Sequence, residues 1–170
     1  MNDIPVSPAQ ALSVRAVPHV VHRHERVRTA EDVLQLTGFP VGQSVKTLAF
    51  EIAPDRLVLV GVPGPAKIKY GPLARALGVP RSALRPAPAE SLERIGMEPG
   101  GVCPVCLDEA VTVVLDSRVP AMGRVYCGSG QADATFELDA ASLPLLAGNL
   151  VVAEVAEVAE IAEIAESAGS

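Results

Sequence analysis

Apolar positions along this chain fall in short runs, each closed by Gly, Pro or Asp. After a loose leader over residues 1–8, Ala9–Arg15 predicts a short helix. His19 to His24 has strand character. Thr29 opens a helix by capping logic, with Asp32 three residues on, and that helix ends near Thr37-Gly38. Val45–Ala53 and Arg56–Val62 are two apolar runs joined by Pro54-Asp55, a hairpin pattern in which proline restricts the turn. Gly71–Leu77, closed by Gly78, and Ala89–Ile95, ended by Gly96, predict two further helices. Val111–Leu115, Arg124–Cys127 and Ala134–Leu138 predict three short strands, and Asp139 caps a helix through Leu146. Strands and helices mix without strict alternation. That predicts an α+β class: a mixed, mostly antiparallel sheet with a barrel-like core and flanking helices.

From Glu154 to Glu166 an apolar-Ala-Glu triplet repeats. A step of three residues turns roughly 300° on a helix, so the apolar line drifts about 60° per repeat. It makes neither a heptad seam nor a clean amphipathic face. The organisation expected is a leader over 1–8, one domain over 9–153, and a Glu/Ala-rich helical or disordered tail over 154–170.

Of the chain's net charge of −6, the last twenty residues carry five Glu and no Lys or Arg. The body is therefore close to neutral, and a nucleic-acid partner would need a local basic patch. Aromatics are only 3%, with no Trp, which argues against an aromatic stacking platform for single strands. Three cysteines, an odd and small number, argue against a secreted disulfide scaffold. No basic-then-apolar leader and no long uncharged apolar run is present. The expectation is a soluble cytoplasmic protein with no membrane partner; the oligomeric state is not readable.

Candidate chemistry centres on Pro99-Gly100-Gly101-Val102-Cys103-Pro104. The prolines stiffen this arch. The N–H groups of Gly100, Gly101, Val102 and Cys103 are then expected to point at one oxygen or anion. Lys46 shares a strand face with Leu48 and Phe50 by period two. It is either a mobile cation on a pocket rim or a charge protecting an edge strand. Cys103 and Cys106 form a CxxC, but only Cys127 and the distant His19, His22 and His24 remain as ligands. Buried thiols are the favoured reading; a redox pair or half a zinc site is the alternative, and no cofactor is expected. Asp116 ends a strand, where it serves as a base or a turn former. Ser129, in Gly128-Ser129-Gly130, has no triad pattern around it.

In order, Val45-Lys46-Thr47-Leu48, Leu73 to Gly78, Gly100 to Pro104, Val114-Leu115-Asp116, Val125 to Gly130 and Phe136-Glu137-Leu138 resemble the YbaK/ProX family. These are aminoacyl-tRNA deacylases related to the editing insertion domain of bacterial prolyl-tRNA synthetases. The resemblance covers about residues 10 to 155. It implies hydrolysis of a mischarged tRNA, typically tRNA-Pro carrying Ala or Cys, with tRNA and prolyl-tRNA synthetase as partners. Lys46 would face the terminal adenosine or its phosphate. Gly100 and Gly101 would hold the ester carbonyl, with Val102, Cys103, Pro104, Asp116, Gly128, Ser129 and His22 around the substrate. The sequence departs from the family at Gly128 and Thr135, positions that help set amino-acid choice. The alternative is a non-catalytic module of the same fold that binds tRNA or an aminoacyl adenosine.

Overall fold

A computed structural model describes residues 6–52 and 55–157. Ten strands and four α-helices occur among them: α1 (Pro8–Val14), β1 (His19–Arg23), α2 (Ala30–Thr37), β2 (Ser44–Ile52), β3 (Arg56–Pro63), β4 (Lys67–Ile68), α3 (Tyr70–Leu77), β5 (Leu84–Pro86), α4 (Ala89–Glu93), β6 (Val111–Asp116), β7 (Arg124–Gly128), β8 (Ala134–Asp139), β9 (Leu150–Ala153) and β10 (Ala156–Glu157). The main sheet runs β1-β8-β7-β2-β3-β6-β9, with β5 added to β2, and β10 pairs separately with β4. Antiparallel pairs predominate, and β2 with β7, β3 with β6, and β6 with β9 are parallel. This is the mixed α+β sheet expected; its hydrogen-bonded path has two ends, β1 and β9.

The helix boundaries follow local chemistry. The Thr29 hydroxyl accepts the Asp32 N–H at 3.1 Å, and Gly38 ends α2 in the left-handed conformation. Gly78 ends α3 in the same way. The segment after Asp139, read as a helix, is a 3₁₀ run over Ala140–Leu146.

Strands β3 and β6 are buried on both faces, which is why they read as continuous apolar runs. Period-two alternation divides them between two cores. Leu57, Leu59, Val113 and Leu115 face one core, with Leu12, Leu92, Phe136 and Leu138. Val58, Val60, Val62 and Val114 face the other, with Phe50, Leu73, Leu77 and Val155. Val155 and Ala156 lie in what was expected to be a tail. Both are buried, Ala156 opens β10, and residues 158–170 lie outside the described residues.

What seats Val155 and Ala156 is Asp116. This residue was expected in the substrate site, and it is 0% exposed in the second core's wall. Its Oδ2 accepts the N–H groups of Val155 and Ala156, each at 3.0 Å, and its Oδ1 accepts the backbone N–H and Nη1 of Arg118 at 3.0 Å. All of its capacity is spent on structure, so its role is to tie β10 to β6. Asp116→Ala leaves two buried donors unpaired. We expect a loss of about 3 kcal/mol in urea unfolding. Asp116→Asn, which keeps one acceptor, should lose less.

Candidate functional site

A cleft of about 570 Å³ opens between the sheet, α2 and the Gly100 loop. Strand β2 supplies its floor. Lys46 and Leu48 line it, while Phe50, two residues further on the same face, belongs to the second core. Strand β2 is paired along its length by β3, with Lys46 opposite Val62; on its other side β7 pairs only Ser44 and Val45 and β5 only Phe50 to Ile52, so Lys46 stands where the sheet opens beside the cleft. Among the described residues, Arg28, Lys46 and Lys67 line the cleft together with one carboxylate, Glu31. A protein of net charge −6 thus gathers three cations at one opening. That is the local basic patch an anionic nucleic acid requires.

The arch is held from behind. Glu98 N–H donates to the Gly130 carbonyl at 2.9 Å, and Gly130 N–H donates to the Gly101 carbonyl at 2.6 Å. The Glu98 carboxylate accepts the Ala132 N–H at 2.8 Å and pairs with Arg26 at 3.0 Å. Gly100 has φ +88, and a Cβ there would run into the Val27 carbonyl, so only glycine fits. Opposite, a Cβ on Gly128 would strike the Val102 carbonyl. The loop backbone thus fills the space that a side chain at position 128 would need.

The four expected donors are not all available. Gly101 N–H donates to the Glu98 carbonyl at 3.0 Å. The N–H groups of Gly100, Val102 and Cys103 have no partner among the described residues. Gly100, Val102 and Gly128 line the cleft, with Cys127 and Thr135.

Several expected site residues lie elsewhere. Cys103 is 0% exposed in the first core, and Pro104 is buried beneath Gly61. Ser129 Oγ donates to the Ala134 carbonyl at 2.7 Å and accepts the Gln131 N–H at 3.2 Å, holding its own turn. His22 stands at the margin, its Nε2 2.7 Å from Glu137 Oε1. Arg124, at 2.9 Å, and then His22 hold the Glu137 carboxyl below its usual range.

The sequence reading missed two features of the site. Phe39 and Tyr126 both line the cleft and stack at 4.1 Å with an 11° interplanar angle, and His22 meets Phe39 edge-on at 5.0 Å. Few aromatics argued against a stacking surface, yet these are gathered in one place. Thr47 lines the cleft, and its hydroxyl oxygen is buried with no partner among the described residues. Such an orphan is satisfied by a ligand or by water. Its only signal in the sequence is its place beside Lys46.

Burial pushes the Cys103 thiol well above the ordinary thiol range, and the adjacent Cys127 adds to the shift. Burial raises Cys106 too. Among the described residues no three His, Cys, Asp or Glu group to hold a metal. We expect iodoacetamide at neutral pH to leave Cys103 and Cys106 unlabelled in the folded protein and to label both in urea, read by peptide mass.

The Ala132 N–H, and then Arg26, hold Glu98 below its usual carboxylate range. A depressed carboxylate contributes stability above its unfolded pKa and loses it as pH falls through the folded value. Glu98→Gln should therefore lower the urea midpoint at pH 7, and the gap to wild type should close on acidification below the ordinary carboxylate range.

Comparisons with known proteins place the fold among relatives. The aminoacyl-tRNA editing domain profile matches residues 24–144. The uncharacterised protein YwhH of Bacillus subtilis is 30% identical over 115 residues, covering 68% of this chain and 72% of its own length. A proline–tRNA ligase of Desulfitobacterium hafniense is 32% identical over 106 residues, 62% of this chain. The matched segment spans only 18% of that ligase. Among solved structures, "a putative trans-editing enzyme for prolyl tRNA synthetase" superposes with a TM-score of 0.70 at 29% identity, covering 88% of this chain and 95% of its own. The hypothetical protein APE2540 superposes at 0.73 with 25% identity, over 88% and 98% of the two chains. With more than half its length matched by that profile, this chain belongs to the aminoacyl-tRNA editing domain family.

Proposed function

We propose that this protein is a free-standing deacylase that hydrolyses the ester of a mischarged tRNA, tRNA-Pro carrying Ala or Cys. The observation that carries the reading is the meeting of Lys46 and the Gly100–Val102 arch in one cleft with a cationic rim. The aminoacyl ester needs little activation. Its carbonyl oxygen takes the arch N–H groups at Gly100 and Val102, where charge develops during attack by water. The Lys46 ammonium holds the terminal adenosine or its phosphate, which fixes the ester against the arch. The Phe39–Tyr126 pair offers a π-face to a terminal base. Cys103 and Cys106 are not nucleophiles in this scheme, because burial keeps them protonated.

Amino-acid choice rests on size. A missing methylene in an apolar pocket is worth only about 1–3 kcal/mol, so such a site works best by refusing what is too large. Val33, Leu34, Val41, Val45, Val102 and Ala134 are suitable walls.

The second reading, a binding module without turnover, draws on Gly101, whose N–H is already given to Glu98. A deacylation assay on tRNA-Pro charged with Ala, Cys or Pro separates the two. We expect hydrolysis of a mischarged ester and sparing of the prolyl ester. Lys46→Ala should cut the rate about 10- to 100-fold, the worth of a lost charged hydrogen bond. Tyr126→Ala should raise KM more than it lowers kcat. Tight tRNA binding with no hydrolysis of any ester would establish the binding module instead.

A further inference from the structure

Thr135 is only 3% exposed, yet it lines the cleft. Its Oγ1 lies 2.8 Å from Nε2 of His24, a residue 111 positions away in the chain. The other ring nitrogen, Nδ1, lies 2.8 Å from the carbonyl oxygen of Glu25. A carbonyl only accepts, so Nδ1 carries the proton. In the neutral ring Nε2 then has a lone pair and no hydrogen, and the Thr135 hydroxyl must donate to it. The single proton of that hydroxyl is thereby committed. With the ring neutral, what remains on Thr135 Oγ1 for a ligand is its acceptor capacity.

The place of this acceptor suggests its partner. Thr135 stands opposite Gly128 in the β7–β8 ladder, and the Val102 carbonyl lies against Gly128. The acceptor is therefore beside the arch that takes the ester carbonyl. In an aminoacyl ester the strongest donor near that carbonyl is the α-ammonium, two bonds from the carbonyl carbon. Arg28, Lys46 and Lys67 line the cleft and repel an ammonium, and Glu31 is an exposed carboxylate on the first turn of α2. We infer that Thr135 receives the α-ammonium of the substrate and that His24 is the positioning residue that fixes its polarity. The inference rests on the editing reading above and adds to it a subsite for the amino group.

The test compares hydrolysis of alanyl-tRNA with that of lactyl-tRNA, its α-hydroxy counterpart, which has nearly the same shape and no ammonium. Cysteinyl-tRNA and its α-hydroxy analogue replace them should Cys be the preferred residue. Wild type should favour the aminoacyl ester. Thr135→Val should slow that ester about 10- to 100-fold, as expected for a hydrogen bond to a charged group, and slow the hydroxyacyl ester, whose α-hydroxyl is a weaker neutral donor, by much less. Thr135→Ser should restore the preference. His24→Ala frees the hydroxyl to turn, so the preference should shrink, with the change in KM larger than that in kcat. Should Thr135→Val fail to fold, His24→Ala and Thr135→Ser carry the test. The inference is overturned if every folded variant keeps the wild-type preference, if both esters slow equally, or if Glu31→Gln alone removes the preference. Wild type inactive on every aminoacyl ester overturns the editing reading itself, a distinct outcome.

Discussion

The site depends on one backbone-to-backbone contact, the seating of the Gly100 loop against the turn that follows β7. Two main-chain hydrogen bonds cross it, Glu98 N–H to the Gly130 carbonyl and Gly130 N–H to the Gly101 carbonyl, while Gly101 N–H closes the loop on the Glu98 carbonyl. The Glu98 carboxylate ties the same turn to Arg26. No side chain fits between the two segments, since a Cβ on Gly128 would meet the Val102 carbonyl. Backbone dipoles in such a contact do not reorient cheaply. Donors that already point the right way cost no reorganisation when charge develops on a bound ester. The price is the Gly101 N–H, which serves the scaffold and not the substrate.

Around this contact the sheet distributes two kinds of environment. Strands β3 and β6 carry the cores on both faces and make the rigid centre. Strand β2 passes from that centre into the cleft, so Lys46 is anchored by the same strand that buries Phe50. A long cationic side chain held at its root retains reach at its tip. That suits the role proposed for it, holding the phosphate or adenosine of a substrate end.

Much of this was legible before any coordinates. Thr29, Gly38, Gly78 and Asp139 marked element ends because capping is chemistry between near neighbours. Lys46 stood out because period two places it beside Leu48 and Phe50. The illegible features are those made by partners far apart in the chain. Phe39 meets Tyr126, and His24 meets Thr135, only after β8 lies between β1 and β7. Asp116 looked like a site residue because strand-end carboxylates often are; only the approach of Val155 and Ala156 shows its use. The triplet repeat hid the register of β10, since its apolar spacing suits neither a helix face nor a strand.

The pairing of β1 with β8 joins the fifth of the chain nearest its start to a segment beyond residue 134. One wall of the cleft is therefore missing until nearly all of the domain has been synthesised. During translation His22 and His24 wait on an unpaired strand, and the loop at Gly100 has nothing to rest on until the turn at Gly130 emerges. Contacts of such long sequence separation form late and slowly. This member of the aminoacyl-tRNA editing domain family would thus gain its cleft only among the last steps of its own synthesis.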